Sequence, residues 1–399
     1  EGGILRCEDG GKNLEIYSRG LRNSWDMAMD TSFNWICTDN DPGPQHDRIF
    51  MPFLGAHFGM SHAWSFDWMA KDHLPTAPSI SKLPTVSGSG VGVVFYTHTH
   101  FPEKYQNSFI IGDWTNKCIY HFPTTWEGAQ MKSEDAFETL ADAGRTQAGD
   151  LGYKPKEGKS LFRPTDIAVA PSGALYVAGW GAHYGSVYAS FGGADSRAKK
   201  NYGRVFRIFH KERPLHKKKD WLTAKRSKPH SRWTFQELLD DLGAQIPAWR
   251  GNAQEELIQR GTKHVSGIIK AIQGGQLSEG QETWAAWALS RITGESSNDF
   301  NEFEKWSKAK SKASLNLRIQ STRILGESSH EDAFKSLAPL LSDKEPRVRL
   351  AAAIALKNLK KSVEVPHEPL LRAMATEKDR LCLYAQWHTL GKLLTADQR

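Results

Sequence analysis

Cationic, carboxylate and carbonyl chemistry is concentrated between Gly20 and Ile49, in the stretch GLRNSWDMAMDTSFNWICTDNDPGPQHDRI. Arg22, followed by Asn23, can clamp an anion through two parallel N–H donors. Asp39, Asp41 and Asp47, with the backbone carbonyls of a turn at Pro42, Gly43 and Pro44, are hard oxygen donors of the kind calcium prefers. If the turn faces a cavity, the stretch is a site. The same residues also suit a plain strand, turn and strand, with Asp and Gly supplying the turn geometry. His46 lies nearest the acidic turn, and His98 and His100 alternate onto one face of a strand, so a base or a metal pair is conceivable. An isolated loop histidine is more often a polar surface residue.

The elements that must position these groups change character along the chain. At 399 residues the protein exceeds one comfortable core, and two domains are expected. A hydrophobic content of 39% and a mean hydropathy of −0.54 leave no apolar run long enough for a membrane span or a signal-peptide core. The opening Glu-Gly-Gly, without Met and directly before strand-like Ile4 to Cys7, points to a processed or truncated start. The four cysteines, Cys7, Cys37, Cys118 and Cys382, show no CxxC spacing, so neither zinc nor haem attachment is encoded, and Cys7 and Cys37 could pair only if their strands are neighbours.

Residues 1–210 have a β texture, with short alternating runs bounded by Gly, Pro, Asn and Asp. Ile4–Cys7, Leu14–Tyr17, Trp25–Met29 and Trp35–Thr38 read as successive strands of one antiparallel meander, the unit of a propeller blade. The segment from His57 to about Pro84 reads as a surface excursion. A second unit has strands at Val93–Thr97, Ser108–Gly112 and Lys117–Phe122, followed by an insertion with a helical patch around Glu134–Ala143. A third runs Pro164–Ala170, turns at Pro171-Ser172-Gly173, and continues through Ala174–Ala178 and Gly203–Phe209. Asp113-Trp114 and Gly179-Trp180 read as packing aromatics. Three such units are too few to close a ring, so the β part is expected to be an open fragment or to be completed by residues outside the chain.

Residues 211–232 form a basic linker in which nine Lys and Arg face two acids, enough to supply most of the net charge of +7. Such a segment can bind an anionic surface, but its commoner use is a solvated connector, and nucleic acid is not an expected partner. From 233 to 399 the period becomes helical. In DKEPRVRLAAAIALKNL, Asp343 can cap, Pro346 falls in the first turn, and Val348, Ala352, Ala355, Leu356 and Leu359 share a face. Related patterns at Leu317-Arg318 and Trp249-Arg250 lie 31 and 99 residues earlier, a spacing that predicts a solenoid of stacked helix pairs. Arg250, Arg318 and Arg349 occupy equivalent positions and are expected to bond to neighbouring repeats.

GLRNSWDMAMD (20 to 30), DPGPQHDRI (41 to 49), FYTHTHFPEKYQNSFIIGDWTNKCIY (95 to 120) and RPTDIAVAPSGALYVAGW with GRVFRI (163 to 180, 203 to 208) together resemble the soluble quinoprotein glucose and sorbosone dehydrogenases. The order of parts is similar to that of large bacterial periplasmic proteins described as membrane-bound dehydrogenases, which join such a region to HEAT repeats and often to a haem domain. The resemblance implies a partial β-propeller of about three blades of a six-bladed type, followed by an α-solenoid of HEAT-like repeats. It implies pyrroloquinoline quinone (PQQ) and calcium as cofactors, a sugar or polyol as substrate, a protein partner on the HEAT repeats and a periplasmic or other extracytoplasmic location. On the family's motifs, Arg22, Asn23, Lys117 and Arg163 are the quinone contacts, and Gly43, Pro44 and Asp47 the calcium donors. Ser24 stands where the family usually has proline, and the family's general-base histidine belongs to a blade that this chain does not carry. The other reading is a non-catalytic propeller and HEAT scaffold that binds carbohydrate or protein.

Overall fold

A computed structural model describes the chain outside residues 1, 41–45, 61–75, 87–88, 115, 134–136, 143–161, 181–202, 295–296, 309, 311, 360–365 and 395–399. Sixteen strands are described. They are β1 (Gly2–Glu8), β2 (Lys12–Leu21), β3 (Ser24–Met29), β4 (Trp35–Asp39), β5 (His46–Phe50), β6 (Ala56–His57), β7 (Ser81–Val86), β8 (Gly90–Tyr96), β9 (Ser108–Asp113), β10 (Cys118–Phe122), β11 (Thr125–Glu127), β12 (Gln130–Lys132), β13 (Glu138–Asp142), β14 (Pro164–Val169), β15 (Leu175–Gly179) and β16 (Arg204–Ile208).

Three antiparallel sheets follow one another, in strand orders β3-β4-β5-β7, β8-β9-β10 with β13 beyond β10, and β14-β15-β16. The first strand of the second sheet, β8, packs against the first strands of the other two, β3 and β14. Side chains tie these junctions: Asp26 accepts from Val93 N at 2.7 Å, and Trp25 Nε1 donates to Thr165 O at 3.1 Å. Every residue of β9 and β10 is buried, whereas β15 alternates, with Leu175 and Val177 inside and Tyr176 and Ala178 outside. The middle sheet is therefore covered on both faces and the third on one.

The third sheet forms as its sequence predicts. The first does not. β1 pairs with β2, and β2 pairs in parallel with β6, leaving β3 and β4 to start the four-stranded sheet. The break lies at Gly20, whose φ of +77° suits glycine. A Cβ there would stand 2.7 Å from the amides of Phe58 and Gly59, so only glycine lets β2 turn away beside β6. Within the expected surface excursion, Ser81–Val86 is the edge strand β7, and within the expected helical patch Glu138–Asp142 is the edge strand β13. Cys7 is exposed on β1 and Cys37 is buried on β4, in different sheets, and both are free thiols. Burial pushes the Cys37 thiol up to about 12.

The helices are α1 (Lys218–Trp221), α2 (Phe235–Asp241), α3 (Pro247–Arg260), α4 (Val265–Gln273), α5 (Glu279–Thr293), α6 (Ser297–Ser307), α7 (Leu315–Leu325), α8 (Ala333–Leu337), α9 (Pro346–Asn358), α10 (Glu368–Met374) and α11 (Arg380–Leu393). None of them is long and apolar enough to cross a membrane. The repeat is visible in α3, α5, α7, α9 and α11, each packed on the next. Thr234, Ser278, Ser314 and Asp379 cap their helices with side-chain oxygens, and Pro247 and Pro346 open α3 and α9. Asp343 is not the cap of α9, which starts after Glu345. Its carboxylate instead receives Arg318 from α7. Arg349 makes the matching bond to Glu377, with both contacts at 2.8 Å, while Arg250 turns to Ala244 O at 2.7 Å and to Thr97 beyond β8. Bonds between repeats thus hold for Arg318 and Arg349, and Arg250 joins the helices to the sheets.

The sheets and helices share one hydrophobic core. Phe33, in the β3–β4 turn, meets Trp284 edge-on at 4.9 Å, and the Tyr384 hydroxyl accepts from His57 N at 2.8 Å. The basic segment is less solvated than its charge suggests. Lys225 and Arg226 converge on buried Asp241 at 3.1 and 2.6 Å, although Lys217, Lys218 and Lys219 are exposed.

Candidate functional site

Alternate ends of antiparallel strands fall on one edge of a sheet. Arg22 and Asn23 before β3, Asn40 after β4, Asp47 in β5, Ser89 before β8 and Asp113 at the end of β9 meet there, together with Lys117 before β10 and Arg163 before β14. Asp39, fully buried, accepts from the amides of Arg22 (3.0 Å) and Asn23 (2.7 Å), which fixes the entry into β3. That carboxylate is committed to backbone and to the buried Arg48 guanidinium, 3.9 Å away, and is not an open calcium donor. Arg22 Nη1 donates to the side-chain and main-chain oxygens of Asn40 at 2.6 and 3.0 Å.

From Asn40 the network continues into the second sheet. Asn40 Nδ2 donates to Ser89 Oγ at 2.9 Å and lies 3.4 Å from Asp47 Oδ2, and the latter accepts from Gly90 N at 2.8 Å. Ser89 N donates to Asp113 Oδ1 at 3.1 Å. The same oxygen accepts from Asn116 N at 2.9 Å, and Asp113 Oδ2 accepts from Asn116 Nδ2 at 2.8 Å. The turn so fixed presents Lys117 with a left-handed φ of +57°. Lys117 and Arg163 are each 1% exposed, and the Arg163 guanidinium lies 4.3 Å over the Trp114 ring. Burial, and then the charge of Arg163, pulls the Lys117 ammonium down to about 8.

Two buried cations acting on one another favour an anion between or above them. The structure brings Arg22, Asp47, Lys117 and Arg163 to this edge. Asn23 enters it through its amide. Gly43 and Pro44, with Asp41, Pro42 and the His46 side chain, lie outside the described residues. Asn40, Ser89, Asp113 and Asn116 are parts of the edge that sequence reasoning did not select, and Trp114 stacks on a cation instead of serving only as packing. The polar turn Asp-Trp-Thr-Asn-Lys was the available signal.

His98 and His100 do not stand on a strand face. They follow β8 at its other end, both buried. His98 Nδ1 accepts from His100 N at 3.1 Å, the His98 ring meets His216 at 4.6 Å, and His100 Nε2 accepts from His210 N at 3.1 Å. Burial and the neighbouring His216 hold His98 down at about 4. A Cβ on Gly173 would lie 2.3 Å from His100 Cβ, so the glycine turn closes on this pair. These histidines fasten the basic segment to the sheets.

Residues 1–212, more than half of the chain, match the family described as a domain of unknown function, DUF7133. The chain belongs to that family. Beyond the DUF7133 region, residues 304–393 match HEAT repeats, in agreement with the stacked pairs from α6 to α11. None of the curated proteins matches the chain. Among solved structures, the chain is similar to a glucose dehydrogenase from Thermus thermophilus, with 15% identity over 48% of this chain and 47% of that one and a TM-score of 0.32. It is similar to the soluble aldose sugar dehydrogenase of Escherichia coli, with 21% identity over 43% and 46% of the two chains and a TM-score of 0.29. A complex of CpcE and CpcF of phycocyanin lyase from Nostoc sp. is matched at 17% identity over 39% of this chain and 96% of that one, with a TM-score of 0.31. The chain spans about half the length of the sugar dehydrogenases that it matches.

Proposed function

We propose that this chain is part of an extracytoplasmic quinoprotein-type dehydrogenase acting on a sugar or polyol, and that the edge around Lys117 and Arg163 holds PQQ. The single observation behind this reading is that two buried cations, Lys117 and Arg163, stand at one edge with Arg22, beside a hydrogen-bonded series that runs from Arg22 through Asn40, Ser89 and Asp113 to Asn116. On this reading the three sheets are successive blades of a six-bladed propeller, and β3, β8 and β14 are the strands nearest its axis.

The residues present fit a polycarboxylate. Lys117 and Arg163 supply buried positive charge, Arg22 supplies an exposed guanidinium, and Trp114 lies against the Arg163 plane. For calcium the proposed donors are the Gly43 and Pro44 carbonyls with Asp47, whose carboxylate Gly90 N orients. PQQ held there with calcium would supply a polarised quinone carbonyl as a hydride acceptor for the substrate's carbinol carbon. The chain's own part is to neutralise the cofactor's carboxylates, fix its plane against the sheet edge and keep water from the buried cations. No residue described here is assigned as the base.

Titration of the protein with PQQ and calcium, followed by tryptophan fluorescence, tests the proposal. Saturable quenching is expected, with Arg163→Gln weakening it at least about tenfold. Lys117 loses its proton as pH rises through about 8, so affinity is expected to fall above that pH and to be flat below it. Absence of binding, or binding indifferent to both Arg163→Gln and pH, overturns the assignment.

A further inference from the structure

A cavity of about 740 Å³ lies between the sheets and the concave row of helices, walled by β1–β2 and the β3–β4 turn on one side and by α5, α7 and α9 on the other. None of the residues at the Lys117–Arg163 edge lines this cavity. Its size is that of sites for small organic ligands. Trp126, Trp287 and Ile354 contribute apolar wall, and Tyr17, Arg323 and Arg347 contribute polar groups.

The cations on this wall are not equivalent. Arg6, also in the lining, is bound to Glu15 and Glu327. Arg323 is spent on Ser32 O at 3.0 Å and Asn34 Oδ1 at 2.7 Å, neither of them a carboxylate. Arg347 lies 4.6 Å over the Trp126 ring, and among the described residues it makes no hydrogen bond and no ion pair. The Tyr17 hydroxyl likewise has no hydrogen-bond partner there. Arg323 and Arg347 repel one another, and burial draws both guanidiniums below their ordinary range. Glu279 and Glu345 act on Arg347 from a distance without pairing with it, and Asp30, which acts on both arginines, has its carboxylate already held by Ser32 N and Asn34 N at 2.8 and 2.9 Å.

We infer that this cavity binds an apolar monocarboxylic acid, its body against the tryptophans and its carboxylate on Arg347. One guanidinium with its donors uncommitted matches one carboxylate in a bidentate pair, and the adjacent apolar volume selects a hydrocarbon or aromatic body over a small hydrophilic anion. A single added negative charge also relieves the Arg323–Arg347 repulsion.

Calorimetric titration of the full chain with decanoate and with decanol separates head from body. Decanoate is expected to bind once per chain, about tenfold or more tighter than decanol. Arg347→Gln should bring decanoate down to the level of decanol and leave decanol unchanged. Ile354→Trp, which narrows the apolar wall, should weaken both. Equal binding of the two probes, decanoate binding untouched by Arg347→Gln, many molecules per chain, or no binding at all overturns the inference. Should Ile354→Trp fail to fold, the half-buried Arg347 variant decides alone.

Discussion

Asp343→Ala is expected to lower the free energy of unfolding by about 3–5 kcal/mol, the usual cost of breaking a buried ion pair from one side. Asp343 and Arg318 have side chains only 2% and 6% exposed, and they join the α8–α9 connection to α7. Removing the carboxylate leaves a guanidinium among buried neighbours in the middle of the repeat array, where water cannot reach it without opening the stack. The pair itself need not be stabilising relative to apolar packing, so Arg318→Met combined with Asp343→Leu should recover most of the loss. Urea unfolding of the wild type and the two variants measures this. A loss under about 1 kcal/mol for Asp343→Ala would show that the pair is effectively solvated.

Lys117→Met is expected to act with opposite signs on stability and on PQQ affinity. The ammonium is buried beside Arg163 and pulled down to about 8, so the folded state disfavours its charge. Replacing it should stabilise the ligand-free protein by on the order of 1–3 kcal/mol at pH 7. The sign follows from linkage. A lysine whose folded value lies below its unfolded one penalises folding fully below the folded value, and the penalty fades as pH rises toward the unfolded value. The advantage of Lys117→Met should therefore be present at pH 7 and gone near pH 10.5. The same change should weaken PQQ binding about a hundredfold, because one of two buried cations is lost. Denaturant titrations at both pH values and a PQQ titration at pH 7 give the answer. Lower stability combined with unchanged affinity would assign Lys117 to the fold alone.

Sequence periodicity carried the third sheet and the helical repeats because each satisfied several local rules at once. Gly173 has a φ of +87° in the turn between two alternating strands, and α9 combines Pro346 with a continuous buried face. Two of the missed strands each broke one local rule. β7 contains Pro84 and β13 reads Glu-Thr-Leu-Ala-Asp, with helix-forming residues; both are edge strands, where a missing donor or a weak propensity costs little. β1 and β2 were legible as strands but not as a separate sheet, since alternation gives a face and not a partner. The candidate edge was half legible. Arg22 and Asp47 stand in a conspicuous turn, whereas Asn40, Ser89 and Asp113 acquire meaning only from contacts across 24 to 49 residues.

The core common to sheets and helices means that the change of pattern near residue 211 marks a change of alphabet and not a seam in the material. With Phe33 seated against Trp284 and Tyr384 holding the His57 amide, each half keeps part of the other's interior. A gene cut at that point would yield two proteins with an exposed apolar wound apiece, so inheritance of the two parts is tied together by cohesion and not merely by their order on the chain.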